Sequence, residues 1–291
     1  MSLLSPEDLQ RRLGEPELRI CDVRWWLADP PKGRRDYQAA HLPGAIFVDV
    51  DTDLVAPEGP GRHPLPDPVA FARRLEALGI DDHSAIVAYD DAGGAVAARL
   101  WWMLDDLGHP DVHVLDGGIP AWVAAGGPLT DEVPSYPHGH LTLRDRWTRV
   151  IDRAELAPRL AVGDRGLSLL DARAPERYRG ETEPIDPVAG HIPGAISRPF
   201  GGNLGPDGRF LPPAELRRRF DALGSTVVTA CGSGINACHT ALAMRVAGLP
   251  DPLLYPGSYS DWSRAGMPVA TGEEPGRYVP EPAPEPGSEP A

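Results

Sequence analysis

The chain has 291 residues, 24% charged and 42% hydrophobic, and its 42 acidic against 28 basic side chains give a formal net charge of -14. At about 100–200 residues per domain this length favours two domains. The composition is that of an ordinary globular protein, and the acidic balance argues against a nucleic-acid partner, which needs a basic face. The three cysteines, Cys21, Cys231 and Cys238, are too few for a disulfide framework and lack the paired C-x-x-C spacing of zinc sites. With no signal-peptide core and no run of about 18 apolar residues, a cytoplasmic protein without a membrane span is expected. An acidic total does not exclude an anionic substrate, because short-range contacts in a cleft outweigh a screened global field.

In chain order, an apolar strand containing Cys21 leads into Asp22-Val23-Arg24, and His41-Leu42-Pro43-Gly44-Ala45-Ile46 begins 19 residues after Asp22. A helix over Val69 to Leu78 starts after Leu65-Pro66-Asp67-Pro68 and stops near Gly79. The β-branched run Ala85 to Tyr89 predicts a strand, followed by the turn Asp90-Asp91-Ala92-Gly93-Gly94 and a core helix carrying Trp101-Trp102. Gly117-Gly118-Ile119-Pro120-Ala121-Trp122 closes this series, and the Pro-, His- and charge-rich stretch Asp131 to Trp147 reads as a connector.

The series then repeats. Asp171-Ala172-Arg173 is followed after 20 residues by His191-Ile192-Pro193-Gly194-Ala195-Ile196. A helix after Leu211-Pro212-Pro213-Ala214, the strand Thr226 to Ala230, a helix over Ala237 to Met244 and Gly257-Ser258-Tyr259-Ser260-Asp261-Trp262 come in the same order. A period this long is a duplicated globular domain rather than a solenoid unit of about 20–50 residues. Strands alternating with helices predict an α/β fold, each domain a mainly parallel central sheet flanked by helices. The expected domains are 1–145 and 146–272. The last stretch, 273–291, holds six Pro and five Glu and is expected to be a disordered tail.

Cys231-Gly232-Ser233-Gly234-Ile235-Asn236 lies between the predicted strand and helix of the second copy. A cysteine at the carboxyl end of a parallel strand occupies the crevice where open α/β sheets bind ligands. The two glycines allow successive backbone N–H groups to turn inward around the sulfur, and the following helix adds its positive end. Such a loop favours a thiolate and cradles a sulfur anion. The first copy has Asp90 at the equivalent position, so only the second can act through cysteine. Cys238 and His239 follow at helical spacing without a second ligand pair, which favours a buried helix over a metal site.

The elements Asp-x-Arg, His-(Leu/Ile)-Pro-Gly-Ala-Ile, Cys-Gly-Ser-Gly-x-x-Ala and Gly-(x)4-Trp together resemble the tandem rhodanese family over nearly all of residues 1–272. The loop is most similar to the 3-mercaptopyruvate branch, departing from its usual form at Ile235 and Asn236. The resemblance implies two rhodanese-like domains, with Cys231 accepting sulfur as a persulfide from 3-mercaptopyruvate and passing it to cyanide or a thiol, thioredoxin-like proteins included, without metal or organic cofactor. It implies that Arg173 and Arg179 hold the donor's anion, that Gly232, Gly234, Ile235 and Asn236 line its site, and that Ser233 and His41 assist proton transfer, with Asp36 or Asp29 as acidic partner. A neutral loop, with Gly232 and Ser233 where thiosulfate-preferring relatives carry cations, favours mercaptopyruvate over thiosulfate. Thiosulfate sulfurtransfer and a non-catalytic sulfur carrier or scaffold are the alternatives. A Cys-x5-Arg phosphatase would need arginine where Ala237 stands.

Overall fold

The computed structural model describes residues 2–279. Its strands are β1 (Leu3–Leu4), β2 (Leu18–Asp22), β3 (Ala45–Phe47), β4 (Ala85–Tyr89), β5 (Val112–Leu115), β6 (Leu167–Asp171), β7 (Ala195–Ser197), β8 (Thr226–Ala230) and β9 (Leu253–Leu254). The helices of the first half are α1 (Pro6–Arg12), α2 (Pro31–Ala39), α3 (Val50–Asp53), α4 (Pro68–Ala77), α5 (Ala97–Asp106) and α6 (Gly118–Ala124). Those of the second half are α7 (Arg153–Ala161), α8 (Pro175–Arg179), α9 (Pro213–Arg219), α10 (Ile235–Val246) and α11 (Ser258–Arg264).

The first sheet has the order β1-β5-β4-β2-β3 and the second β7-β6-β8-β9. Every ladder is parallel, so each connection between neighbouring strands crosses over. Reversing the second order to β9-β8-β6-β7 lays it on β5-β4-β2-β3, which is the duplication expressed as topology. The counterpart of edge strand β1 is reduced to one parallel bridge, Val150 to Leu254. Local chemistry sets the helix starts. Asp67 caps α4 by accepting from Ala70 N with Pro68 at the first position, and Asp152 and Glu155 form a capping box on α7.

The halves share one core. Nine of the ten residues of α5 and nine of the twelve of α10 are buried, and these two helices pack against each other across the interface. A helix apolar on all sides needs partners all round, and one apolar cluster runs from Val87's neighbours Ile86 and Ala88 through Trp101 and Trp102 to Ile235 and Met244. The polar rim of this contact is ionic, with Arg149 and Arg245 both reaching Asp105 and Asp251.

Two residues of the expected tail, Pro275 and Tyr278, make contacts with the second domain. Pro275 O accepts from Gly194 N at 2.6 Å, and Tyr278, 8% exposed, packs edge-on against Trp262 with ring centroids 5.6 Å apart. An aromatic ring on a buried tryptophan supplies the apolar contact that the Pro- and Glu-rich composition concealed. Residues 280–291 of the expected tail lie outside the described residues. Ending the chain at Gly272, or changing Tyr278→Ala, should therefore cost about 3 kcal/mol and lower the thermal midpoint by about 5–10 °C. Calorimetry showing an unchanged midpoint would remove Tyr278 from the core.

Candidate active site

Strand β8 sits between β6 and β9 and delivers Cys231 at its carboxyl end, 2% exposed. The chain then turns through Gly234, whose φ of +83° is open to glycine and where a Cβ would stand 2.6 Å from Pro256 O. This turn aims two backbone groups at the sulfur: Gly234 N lies 3.1 Å and Ser233 N 3.4 Å from Cys231 Sγ. The positive end of α10 lies directly behind. The loop's own carbonyls are drawn the other way, since Tyr259 N donates to Cys231 O at 3.0 Å and Ser260 N to Gly232 O at 2.9 Å. Ser258 accepts from Cys231 N at 3.1 Å while its own φ is +51°. The matching residue of the first domain is Gly118 at φ +59°, so here a serine tolerates a glycine conformation in order to hold the cysteine's backbone.

The first domain shows what such a turn binds. Asp90 fills it with a carboxylate, Oδ1 accepting from Ala92 N at 2.9 Å and Gly94 N at 2.8 Å, Oδ2 from Val96 N at 2.7 Å and Ala97 N at 2.9 Å. Four inward N–H groups on one buried anion make this an anion nest. The second copy presents the same strand-turn-helix to sulfur.

Each domain also covers the other's turn. From the first domain, the segment after α3 crosses to the second, where Arg62 N donates to Ser260 Oγ at 3.0 Å and His63 Nδ1 lies 2.7 Å from Ser233 Oγ. Burial, with Arg62, Arg99 and Arg264 nearby, lowers His63 to about 3, so it is neutral at neutral pH. Arg99 of α5, wholly buried, donates to His63 O at 3.1 Å and Gly234 O at 3.4 Å, tying both partners across the interface.

The cations beside the loop are not those expected. Arg173 is committed to Asp171 at 2.7 Å, to Gly190 O at 2.7 Å and to the face of Tyr259 at 3.9 Å. Arg24 repeats that grip on Asp22 and Ala40 O in the first copy, which marks both as structural pairs. Arg179 ends α8 on the surface, paired with Glu181 at 2.7 Å. Two residues earlier, Arg177 points inward. A Cβ on Gly232 would stand 3.1 Å from Arg62 Nη2 and 3.5 Å from Arg177 Nη1. Asp186 links them, 2.7 Å from Arg62 and 3.3 Å from Arg177, and Arg177 also meets Glu183 at 2.6 Å. The loop itself is neutral, as expected, but the arginines beside it are Arg62 and Arg177 instead of Arg173 and Arg179.

His41 does not join the loop. Its Nδ1 lies 2.6 Å from Tyr37 O and its Nε2 3.0 Å from Glu132 O, with the ring stacked on Tyr37. His191 repeats the arrangement on Tyr178. The motif histidines pin their own domains, and Asp36 and Asp29 pair with Lys32 and Arg35 instead of His41. Ile235 is a core residue at 3% exposure and Asn236 donates to Ala95 O across the interface at 3.3 Å, so both serve packing. Cys238 donates to Gly234 O and His239 lies against Gly93 O and Asn203. Among the described residues no group of three or more His, Cys, Asp or Glu could hold a metal.

The rhodanese-like domain model matches the chain twice, at residues 5–125 and 153–265. The chain belongs to the rhodanese-like family. This family member is 50% identical, over 93% of its length and 98% of the relative's, to a probable 3-mercaptopyruvate sulfurtransferase of Pseudomonas aeruginosa. It is 34% identical to the mouse thiosulfate sulfurtransferase over 88% of each chain. Its fold matches that of the 3-mercaptopyruvate sulfurtransferase from Leishmania major with a TM-score of 0.80 at 32% identity, over 91% of this chain and 74% of that one. The protein is a sulfurtransferase.

Sequence reading of this rhodanese-like chain missed three site residues: Arg62, His63 and Arg177. Arg62 and His63 sit in the turn-rich Gly59-Pro60-Gly61-Arg62-His63-Pro64, which carries no periodicity to distinguish it from a surface loop. A faint signal was there. A histidine in a loop of the first copy has no histidine counterpart in the second, and an unmatched polar residue in a duplicated chain is where the copies' roles diverge.

Proposed function

We propose that this sulfurtransferase takes sulfur from 3-mercaptopyruvate onto Cys231 as a persulfide and hands it to cyanide or a thiol. The Cys231 thiolate attacks the donor's sulfur, forming an S–S bond as the C–S bond breaks. The electron pair of that bond leaves as the enolate of pyruvate, and the proton from the donor's thiol ends on the enolate carbon. The persulfide's outer sulfur occupies the anion nest until an acceptor nucleophile takes it and the thiolate returns. Arg177 faces the donor's carboxylate.

One observation carries the choice of donor: the Ser233 hydroxyl beside neutral His63 at 2.7 Å. Mercaptopyruvate needs a proton moved from sulfur to carbon, which a hydroxyl–imidazole pair can relay. Thiosulfate leaves as sulfite with no proton transfer. Steady-state kcat/KM should be higher with 3-mercaptopyruvate than with thiosulfate, and Ser233→Ala should lower the former by about 10²-fold while changing the latter far less. Equal losses on both donors, or a wild-type preference for thiosulfate, would overturn the proton-relay reading. Two guanidinium groups next to Gly232 are the feature that would then explain a thiosulfate preference.

A further inference from the structure

Cys231 is nearly inaccessible, and the groups at its loop that still have side-chain exposure are charged. Arg62 is 15% and Arg177 18% exposed, while Asp186 between them is fully covered. Arg62 belongs to the other domain, yet its guanidinium stands over Gly232, one residue from the reacting sulfur. Its hydrogen bonding is incomplete. Nη1 meets Asp186 at 2.7 Å, but Nε is buried with no partner, and Nη2 faces the Gly232 backbone rather than a carboxylate. A buried donor left open costs free energy in the resting fold. A fork-shaped cation with unused N–H groups suits a planar carboxylate.

Resting on the sulfur-transfer reading above, we infer that Arg62 is a donor-binding residue. It and Arg177 form a two-guanidinium site built from both domains, in which Asp186 holds the place of the donor's carboxylate until substrate arrives. The donor's anion and Asp186 then compete for the same guanidinium groups. With Asp186 and Glu183 balancing the two guanidinium groups at rest, the first domain, which has no cysteine in its own turn, contributes a donor-binding group to the reaction of the second.

The competition gives opposite signs for two substitutions that break the same ion pair. Arg62→Gln removes a donor contact and should raise KM for 3-mercaptopyruvate by about tenfold or more with kcat changed by less than about threefold, whereas Asp186→Asn frees Arg62, leaving Arg177 on Glu183, and should leave KM equal or lower. Arg62→Lys, keeping the charge without the fork, should fall between wild type and Arg62→Gln. If Arg62 only latches the domains, both Arg62→Gln and Asp186→Asn raise KM together, and the inference fails. A second measurement does not depend on sulfur transfer: alkylation of Cys231 by iodoacetate, which carries a carboxylate, relative to neutral iodoacetamide. The rate ratio should fall about tenfold in Arg62→Gln and hold or rise in Asp186→Asn. An unchanged ratio in folded Arg62→Gln overturns the inference whatever the donor proves to be. An altered ratio in an enzyme that does not turn over mercaptopyruvate would overturn only the choice of donor.

Discussion

Cys231→Ser should abolish sulfur transfer, with turnover down by at least about three orders of magnitude and no gain of one sulfur in intact mass after donor treatment. Cys21→Ala and Cys238→Ala should each still gain it. All three thiols are buried, so burial alone does not choose among them. What differs is the polar surroundings of each sulfur. Cys21 is completely enclosed beside Asp22, and burial pushes its thiol well up. Cys238 is enclosed in α10, pushed up to about 12, and its S–H is spent on Gly234 O. Neither carries an appreciable thiolate fraction at neutral pH. Cys231 alone has two backbone N–H groups on its sulfur at the head of a twelve-residue helix. Persistence of the adduct in Cys231→Ser would sink the mechanism, because burial pushes both other thiols up, Cys238 even with Arg99 beside it.

Acid should unfold this protein earlier than its carboxylates would dictate. His63 is lowered to about 3 and His239 to about 4, in both cases chiefly by burial. A histidine kept neutral in the fold binds its proton more readily when unfolded, so stability is full above the unfolded value near 6.5 and is lost as pH falls below it. At pH 5 each should cost about 2 kcal/mol relative to high pH, roughly 4 kcal/mol together. Asp53, Asp91 and Asp116, raised by burial, act in the opposite sense. The histidine share is isolated by His239→Gln and His63→Gln, each of which should flatten the fall in urea midpoint between pH 7 and pH 5. A wild-type midpoint that stays constant over that interval would show that these imidazoles titrate normally. Because His63 stays neutral in the fold down to about pH 3, the Ser233–His63 pair should keep its activity between pH 7 and pH 5 wherever the enzyme remains folded.

The duplication, the parallel α/β class and the sulfur-bearing turn were all legible in the chain, because each is written in local chemistry. β-branched runs make β4 and β8, prolines open α4 and α9 with Asp67 capping α4, and glycine at position 234 permits a backbone that other residues resist. Cys231 could be singled out for the same reason: its nest is made by its own next three residues. The charged and protonic part of the site was another matter. His41 and Arg173 stand in recurring motifs, and recurrence turned out to mark what both domains need in order to fold, since His191 and Arg24 make the same contacts. His63 meets Ser233 across 170 positions of sequence, and Arg62 meets Asp186 across 124. Such pairings exist because two apolar helices, α5 and α10, bury against each other and carry one domain's loop onto the other's turn. A single sequence shows which residues prefer a strand or a helix. Which loop reaches which cysteine was decided by packing between domains, whose contacts leave no periodic trace along the chain.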